Sequence, residues 1–348
     1  MRHRLRWAIA PLVAMAALLA LSASAGARPS AAVTVSDDFA GPLFGVNNGP
    51  GHQLLVADAG AGPTRLLPNG TTRLITRLPG VSDVDRAGRP NAVWALVSDR
   101  RGELYKVIGG HKTKVADLTA FENRVDPAND GPESNPFDLH SLGFRRTLIS
   151  DAAGNSVLIF DHGKLDWVAS LPQHRVPTQP VKDAAGCPGG PPEICNLPRF
   201  FEADPVATSV AIGPDGAIYV TELTGFPATP GTSRIWRIER GARHVACGHS
   251  SKCKIVARGF TSIVDLKFGP DGSAYVVELD EASWLALEGG TPKGGTINRC
   301  NSGSGPLWSC HKLARNLTMP IGVAIDGDKV FAATHVLIPG QARVVRVR

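Results

Sequence analysis

Acidic residues recur in this sequence at the ends of short β-rich segments. In five repeated units the second predicted strand ends on a carboxylate, and in the sixth Thr334-His335 takes that place; the five acids are Asp58, Asp99, Asp151, Glu222 and Glu278. Carboxylate oxygens bind hard cations such as Ca²⁺, and paired acids can share proton-transfer work. The alternative is that each acid accepts backbone N–H bonds from the following turn, which repetition in nearly every unit favours.

Five residues are candidates for a site at the mouth of a central channel. Glu222 and Glu278 are the longer acids and precede long loops, and His335 occupies a junction between second and third strands. Asp138 and Asp265, like His140, lie on predicted innermost strands, where alternate side chains face the channel. Ca²⁺ is the cofactor that these acids would hold. A water-filled channel around Asp265 and an ordinary loop position for His335 are the competing interpretations.

No catalytic residue is assigned from the sequence. It contains no G-x-S-x-G elbow, H-E-x-x-H helix, EF-hand loop or P-loop. Whether the protein is an enzyme therefore stays open at this point.

An internal repeat predicts the elements that position these side chains. Residues 210–222 read VAIGPDGAIYVTE and residues 266–278 read LKFGPDGSAYVVE, so in both an alternating strand enters a Gly-Pro-Asp-Gly turn and a second strand follows. Weaker copies give six four-stranded units of about 54 residues. We therefore predict an all-β fold, a six-bladed β-propeller without a helix of ordinary length. The N-terminal strand near residues 32–35 is expected to complete the last blade.

The long loops of this predicted propeller all fall on one face. They are either between-blade loops or loops joining second and third strands: residues 119–136, 170–205, 223–232, 279–294 and 335–341. Concentrated long loops usually carry function, so the binding site is expected on this surface, called here the long-loop face.

The first 27 residues have the composition of a secretory signal peptide. Arg2, Arg4 and Arg6 precede an apolar stretch over residues 8–21, and Ala-Ser-Ala at 23–25 is a cleavage signal, with residues 25–27 as a second choice. An uncleaved anchor is the alternative. Cleavage removes three Arg and lowers the formal net charge of the 348-residue chain from +6 to +3. The mature chain, residues 28–348, is predicted to be one secreted domain that binds neither nucleic acid nor membrane.

Six cysteines lie in three close pairs, Cys187 with Cys195, Cys247 with Cys253, and Cys300 with Cys310. In an exported protein this clustering favours three local disulfides. Zinc is the competing interpretation, although the spacing of these cysteines and of the nearby histidines differs from that of zinc sites.

Several segments resemble known propeller families. Residues 151–161 (DAAGNSVLIFD) resemble an NHL repeat, and residues 134–139, 207–216, 219–227 and 233–238 are similar to the ScyD/ScyE family of exported NHL-like proteins. The resemblance implies a propeller and export. It implies no settled activity and supplies no catalytic residues.

The sequence supports two main functional hypotheses. The first is a secreted, monomeric binding or scaffold propeller that holds a small molecule, glycan or protein on the long-loop face. The alternative is a Ca²⁺-dependent hydrolase or lactonase similar to gluconolactonase-like propellers, with Asp138, Glu222, Asp265 and Glu278 around a channel cation. A streptogramin-lyase-like enzyme would need seven blades and a His-based acid–base centre, and the six units count against it.

Overall fold

Six sheets form the body of this protein in a computed structural model that describes residues 32–99, 101–301 and 307–347. Each has four antiparallel strands, and one of them carries a short fifth strand that runs parallel to its neighbour. They are the six blades of the predicted propeller. The segment predicted to be a signal peptide, residues 1–27, lies outside the described residues.

The strands follow the chain in blade order, from the innermost to the outermost strand of each sheet. The first strand and blades 1 to 3 comprise β1 (Val33–Ser36); β2 (Leu43–Asn48), β3 (Leu54–Asp58), β4 (Gly62–Leu66) and β5 (Thr72–Leu74); β6 (Val81–Arg86), β7 (Ala92–Val97), β8 (Glu103–Ile108) and β9 (His111–Asp117); β10 (Pro136–Ser141), β11 (Arg146–Asp151), β12 (Ser156–Asp161) and β13 (Lys164–Ser170).

The second half of the chain begins with a separate hairpin, after which three further blades follow. The strands are β14 (His174–Pro177) and β15 (Phe200–Ala203); β16 (Ala207–Ile212), β17 (Ile218–Glu222), β18 (Ser233–Ile238) and, after the short β19 (Val245–Ala246), β20 (Cys253–Phe260); β21 (Ile263–Phe268), β22 (Ala274–Glu278), β23 (Gly295–Asn301) and β24 (Ser309–Leu317); β25 (Val323–Asp326), β26 (Lys329–Thr334) and β27 (Arg343–Arg346). β19 does not belong to the sheet around it in sequence: it pairs parallel with β13 and adds a fifth strand to blade 3.

The N-terminal strand closes the ring. β1 pairs antiparallel with β27, with Val33 opposite Arg346 and Thr34 opposite Val345, so the last blade combines both ends of the chain. This confirms the closure predicted from the sequence. Pairing the ends leaves no blade with a missing outer strand, which protects a backbone edge that would otherwise be open.

The repeated Gly-Pro-Asp-Gly segments form the expected tight turns. In blade 4 the Gly216 N–H donates to the carbonyl of Gly213 at 2.9 Å, and the φ of +74° at Gly216 is one that glycine adopts without strain. The Asp215 carboxylate accepts the N–H of Ala217, which fixes the start of β17.

Four short helices, not predicted from the sequence, lie in the long loops. They are α1 (Leu118–Val125), α2 (Gln179–Ala184), α3 (Pro192–Cys195) and α4 (Trp284–Glu288). α1 begins where the Asp117 side chain accepts the N–H of Ala120 at 2.8 Å, a standard N-cap.

Three disulfides join the cysteine pairs expected from their spacing. Cys187–Cys195 closes the loop within the β14–β15 hairpin, Cys247–Cys253 staples the connection between β18 and β20, and Cys300–Cys310 joins β23 to β24. No helix in the described part of the chain is long and apolar enough to cross a membrane.

Apolar side chains fill the channel at its long-loop end. The rings of Phe44 and Phe137 meet edge to face with centroids 6.4 Å apart. Because they belong to blades 1 and 3, which are not neighbours, this contact crosses the channel. Val264 of blade 5 and Ile321, which precedes β25, belong to the same buried cluster.

Removal of residues 28–40 tests the closure. We expect the melting temperature to fall by roughly 10 °C or more, because β27 loses its partner strand and becomes an open edge. Differential scanning calorimetry measures this, with Val33→Ser as the control because that side chain is 55% exposed. A trimmed protein that melts with the full-length chain would contradict the role of β1.

Candidate functional site

Beneath the apolar layer, four inner strands bring polar side chains to one level of the channel. The residues are Asp83 of β6, Asp138 of β10, Ser209 of β16 and Asp265 of β21. Each follows a β-bulge at the start of its strand, and a bulge re-aims the next side chain. All four are at most 5% exposed. We call these four residues the channel belt.

Each member of the channel belt accepts a backbone N–H from the inner strand of a following blade. The bonds are Leu139 N–H to Asp83 (3.0 Å), Val210 N–H to Asp138 (2.9 Å), Leu266 N–H to Ser209 (3.1 Å) and Val323 N–H to Asp265 (2.8 Å). The bonds therefore tie blades 2 to 6 together in sequence. Buried backbone donors need such partners where no sheet supplies them.

Glycines occupy the corresponding level in blades 1 and 6. A Cβ at Gly45 would lie 1.8 Å from the Oδ1 of Asp83, and one at Gly322 would lie 2.8 Å from the backbone nitrogen of Val46. Both distances are shorter than atoms can approach. The missing side chains therefore make room for the Asp83 carboxylate and for close contact between blade 6 and blade 1.

Lys267 lies inside the channel belt. Its Nζ is 3.1 Å from Asp138 and 3.3 Å from Asp265, and the Ser209 hydroxyl donates to Asp138 at 2.6 Å. Burial lowers the pKa of Lys267, but the surrounding carboxylates outweigh it and hold that pKa well above its usual value. The ammonium is therefore charged at neutral pH.

The belt carboxylates differ in protonation. Burial, together with the charge of Asp138, raises the pKa of Asp83 well above its usual range, and Asn47 donates to Asp83 at 2.9 Å. Burial also raises the pKa of Asp265, to about 6, although Lys267 lowers it. For Asp138, burial is outweighed by Lys267 and by hydrogen bonds from its neighbours, so its pKa is lowered. Asp138 is thus the anion that pairs most directly with Lys267.

This arrangement does not fit a divalent cation between the belt carboxylates. The Lys267 ammonium already lies between Asp138 and Asp265, where it supplies the positive charge that an ion would bring. Across the described ranges, no group of three His, Cys, Asp or Glu side chains is arranged to hold a metal ion.

Of the five candidates predicted from the sequence, the structure brings Asp138 and Asp265 together. Glu222 lies at the end of β17 with no exposed surface, and its carboxylate accepts bonds from Arg234 at 2.9–3.1 Å and from the Trp236 indole at 2.7 Å. The enclosed carboxylate of Glu222 is therefore held by hydrogen bonds from side chains of its own blade.

Glu278 and His335 have separate surroundings. Glu278 accepts the Thr261 N–H and the Asn298 amide, each at 2.6 Å, and burial raises its pKa. His335 is half-buried beside the Thr334 hydroxyl, and burial, with the charge of Arg343, lowers its pKa. Burial also lowers the pKa of His140 on β10.

Two of the remaining strand-end acids accept backbone N–H groups. Asp58 accepts N–H bonds from Ala40 at 2.7 Å and Gly60 at 2.9 Å, and Asp151 accepts them from Asn135 at 2.7 Å and Gly154 at 3.0 Å. Asp99 instead pairs with Arg101. The capping interpretation therefore describes Asp58 and Asp151 and extends to Glu278.

Asp83, Ser209 and Lys267 were not predicted as site residues. A polar residue 13 positions before the strand-end acid was the available signal, and it is Asp138 before Asp151, Ser209 before Glu222 and Asp265 before Glu278. In blade 2 the spacing differs, because Asp83 lies 16 positions before Asp99.

A second buried carboxylate lies in α1, outside the channel. Glu122 is 1% exposed, and neither of its carboxylate oxygens has a hydrogen-bond partner among the described residues. Burial, with the negative charges of Asp151, Asp126 and Asp130, raises the pKa of Glu122 to about 8.

Similarity to other proteins is confined to the fold. No protein-family model and no curated protein matches this chain. Among solved structures, the PQQ domain of pyranose dehydrogenase from Coprinopsis cinerea has a TM-score of 0.56 at 11% identity and covers 92% of this chain and 94% of its own. A carbohydrate-active enzyme of family AA12 from Trichoderma reesei has a TM-score of 0.57 at 12% identity, covering 93% and 99%. This chain is a six-bladed β-propeller.

A gluconolactonase from Xanthomonas campestris is similar in the same way. Its TM-score is 0.54 at 12% identity, and the alignment covers 94% of this chain and 93% of the gluconolactonase. At such identities the likeness concerns architecture, and propellers of one architecture carry many activities.

Replacing Lys267 with Met tests whether its contacts with Asp138 and Asp265 stabilise the fold. Asp138 and Asp265 would be left buried without their cation, so we expect the free energy of unfolding to fall by about 3 kcal/mol or more. Adding Asp138→Asn to that variant should restore part of the loss, because one uncompensated charge disappears. Urea unfolding measures both.

Lys312→Met is the matched control, because Lys312 pairs with Glu281 at the surface and such pairs contribute less than about 1 kcal/mol. If Lys267→Met lowers the free energy of unfolding no more than Lys312→Met does, the contacts of Lys267 with Asp138 and Asp265 do not stabilise the ring.

Glu122 gives a pH prediction. Between its ordinary pKa of 4.5 and about 8, the folded state keeps a proton on Glu122 that the unfolded chain has lost. Stability should therefore decrease as pH rises through this window, by several degrees in melting temperature. Glu122→Gln should remove this part of the decline, whereas Glu133→Gln, at an exposed acid nearby, should leave it unchanged. Parallel curves for wild type and Glu122→Gln would refute the assignment.

Proposed function

We propose that this protein is an exported propeller, as its resemblance to the ScyD/ScyE family implies, that it acts by binding, and that its ligand binds the β14–β15 hairpin on the long-loop face. The proposal rests on one observation, that the largest loop of this face is a rigid, anchored hairpin whose paired strands carry two exposed arginines against a half-buried aromatic ring. Export is supported by three disulfides.

The hairpin is rigid within itself. Its strands pair from His174 opposite Ala203 to Pro177 opposite Phe200, and the loop between them is closed by Cys187–Cys195. The Thr178 hydroxyl donates to the Pro198 carbonyl at 2.6 Å across its base. A loop fixed in advance loses little entropy on binding, which favours affinity.

Blade 4 anchors the hairpin from below. The Nδ1 of His174 lies 2.9 Å from the buried Glu222 carboxylate, and the Thr229 hydroxyl donates to the Pro177 carbonyl at 2.8 Å. Glu222, considered from sequence as a cation ligand, lies against the base of this loop through His174, whose ring nitrogens have no hydrogen-bond partner among the described residues. Phe201 packs edge to face on Phe226 with centroids 5.5 Å apart.

The outer side of the hairpin carries the binding surface. The Arg175 guanidinium lies 4.1 Å and the Arg199 guanidinium 5.4 Å from the centre of the half-buried Phe200 ring, and both arginines are exposed. Arginine and aromatic side chains contribute most to binding energy at recognition surfaces. Two adjacent guanidinium groups favour a ligand with carboxylates, such as an acidic glycan.

The Ca²⁺-dependent lactonase alternative has weaker support. The similarity to a gluconolactonase concerns the fold, and the two candidate ligands that meet in the channel, Asp138 and Asp265, are paired with Lys267. No contact among the described residues specifically favours it.

Binding to polygalacturonate, an acidic polysaccharide, tests the proposal against dextran, a neutral one. We expect the wild type to be retarded by polygalacturonate in affinity electrophoresis and Arg175→Ala and Phe200→Ala to weaken binding by about tenfold each. Arg240→Ala, at an exposed arginine on the opposite face, is the control and should bind normally. Equal mobility with both polysaccharides, or equal binding by wild type and Phe200→Ala, would reject the hairpin as the binding surface.

A further inference from the structure

The face opposite the long loops contains a cavity between blades 1 and 2. Its volume is about 260 Å³. Leu55 of β3, Val93 of β7 and Pro50 form an apolar wall, and the turn from β6 to β7 forms the rim. This volume is close to the lower end of small-molecule sites.

Three arginines line this cavity. Arg65 comes from β4, Arg86 from the end of β6, and Arg89 from the β6–β7 turn. Arg65 donates through Nη2 to the Asn91 side chain at 3.3 Å, whereas its buried Nε has no hydrogen-bond partner in the described ranges. We call these residues the arginine triad.

Within the described residues, no carboxylate lies at salt-bridge distance from the arginine triad. Among the salt bridges of the described residues, none involves Arg65, Arg86 or Arg89. Other arginines of this chain do form such pairs, including Arg234 with Glu222 and Arg237 with Asp215. The triad is thus an excess of positive charge at one place.

Arg89 differs from the other two members in the direction of its guanidinium. It lies 3.8 Å from the centre of the Phe144 ring, on the side of blade 2 that faces blade 3, where Lys106 also lies over Phe144 and Trp94. Trp94 and Val93 are consecutive on β7 and therefore face opposite sides of the sheet. Arg65 and Arg86 are thus the members placed to meet a ligand beside Leu55 and Val93.

We propose that this cavity binds a small organic phosphate or sulfate ester. The guanidinium groups of Arg65 and Arg86 hold the oxyanion, since arginine's planar fork matches phosphate and sulfate oxygens. The carbon part of the ester packs on Leu55, Val93 and Pro50. This site lies on the other face from the hairpin and is independent of it.

Phenyl phosphate and phenyl sulfate are the probes, with phenol as the uncharged control, all at constant ionic strength. Isothermal titration calorimetry of the full-length protein should show one site for at least one ester and no binding of phenol. Arg65→Ala and the double variant Arg86→Ala/Arg89→Ala should each weaken binding by about tenfold or more. The tighter ester identifies the preferred oxyanion.

Arg65→Lys separates geometry from charge, because it keeps the positive charge and removes the fork; it should also bind about tenfold more weakly. Arg258→Ala, at an exposed arginine of β20 in blade 4, should bind as the wild type does. Unchanged melting temperatures without ligand show that each variant is folded. No binding of either ester at millimolar concentration, or equal binding by wild type and Arg65→Ala, would overturn the proposal.

Discussion

A buried ammonium group lies where the inner strands of the propeller meet, and the ring is arranged around it. Lys267 is within 3.3 Å of both Asp138 and Asp265, and those carboxylates also accept the N–H groups of Val210 and Val323 from other blades. Without the ammonium, the same acids would be buried like charges. With it, they can serve as acceptors for backbone donors that no sheet satisfies. The electrostatic pair thus allows the hydrogen bonds that connect neighbouring blades.

Packing supports this electrostatic centre from both sides. Phe44 and Phe137 meet across the channel above it, and Gly45 and Gly322 leave the room that the Asp83 carboxylate and the neighbouring backbone require. Exclusion of water strengthens each charged contact within the belt. The acids at the strand ends act separately. Asp58, Asp151 and Glu278 accept backbone N–H bonds, whereas Asp99 pairs with Arg101 and Glu222 with Arg234. Two sets of carboxylates therefore stabilise different parts of one ring.

The sequence predicted the blades well because each blade repeats a local pattern. The Gly-Pro-Asp-Gly turns and alternating strands depend on neighbouring residues, and the closure by β1 followed from a blade that lacked its fourth strand. The channel belt was only partly predictable. Asp138 and Asp265 were found, but Asp83 and Lys267 were not. Asp83 lies 16 positions before its strand-end acid where the others lie 13 before theirs, and Lys267 acts through Asp138, a partner from another blade. The contact of His174 with Glu222 depends on how a long insertion folds back, which no local pattern records.

Lys267, and not a metal ion, neutralises the channel carboxylates. This is tested by the metal content of protein purified without chelator, followed by thermal melts with added Ca²⁺ and with EDTA. We expect no stoichiometric metal and the same melting temperature in both conditions. One bound metal per chain, lost in Asp138→Asn and accompanied by a Ca²⁺-dependent rise in melting temperature, would contradict it, because a ligand that binds the folded state must stabilise it.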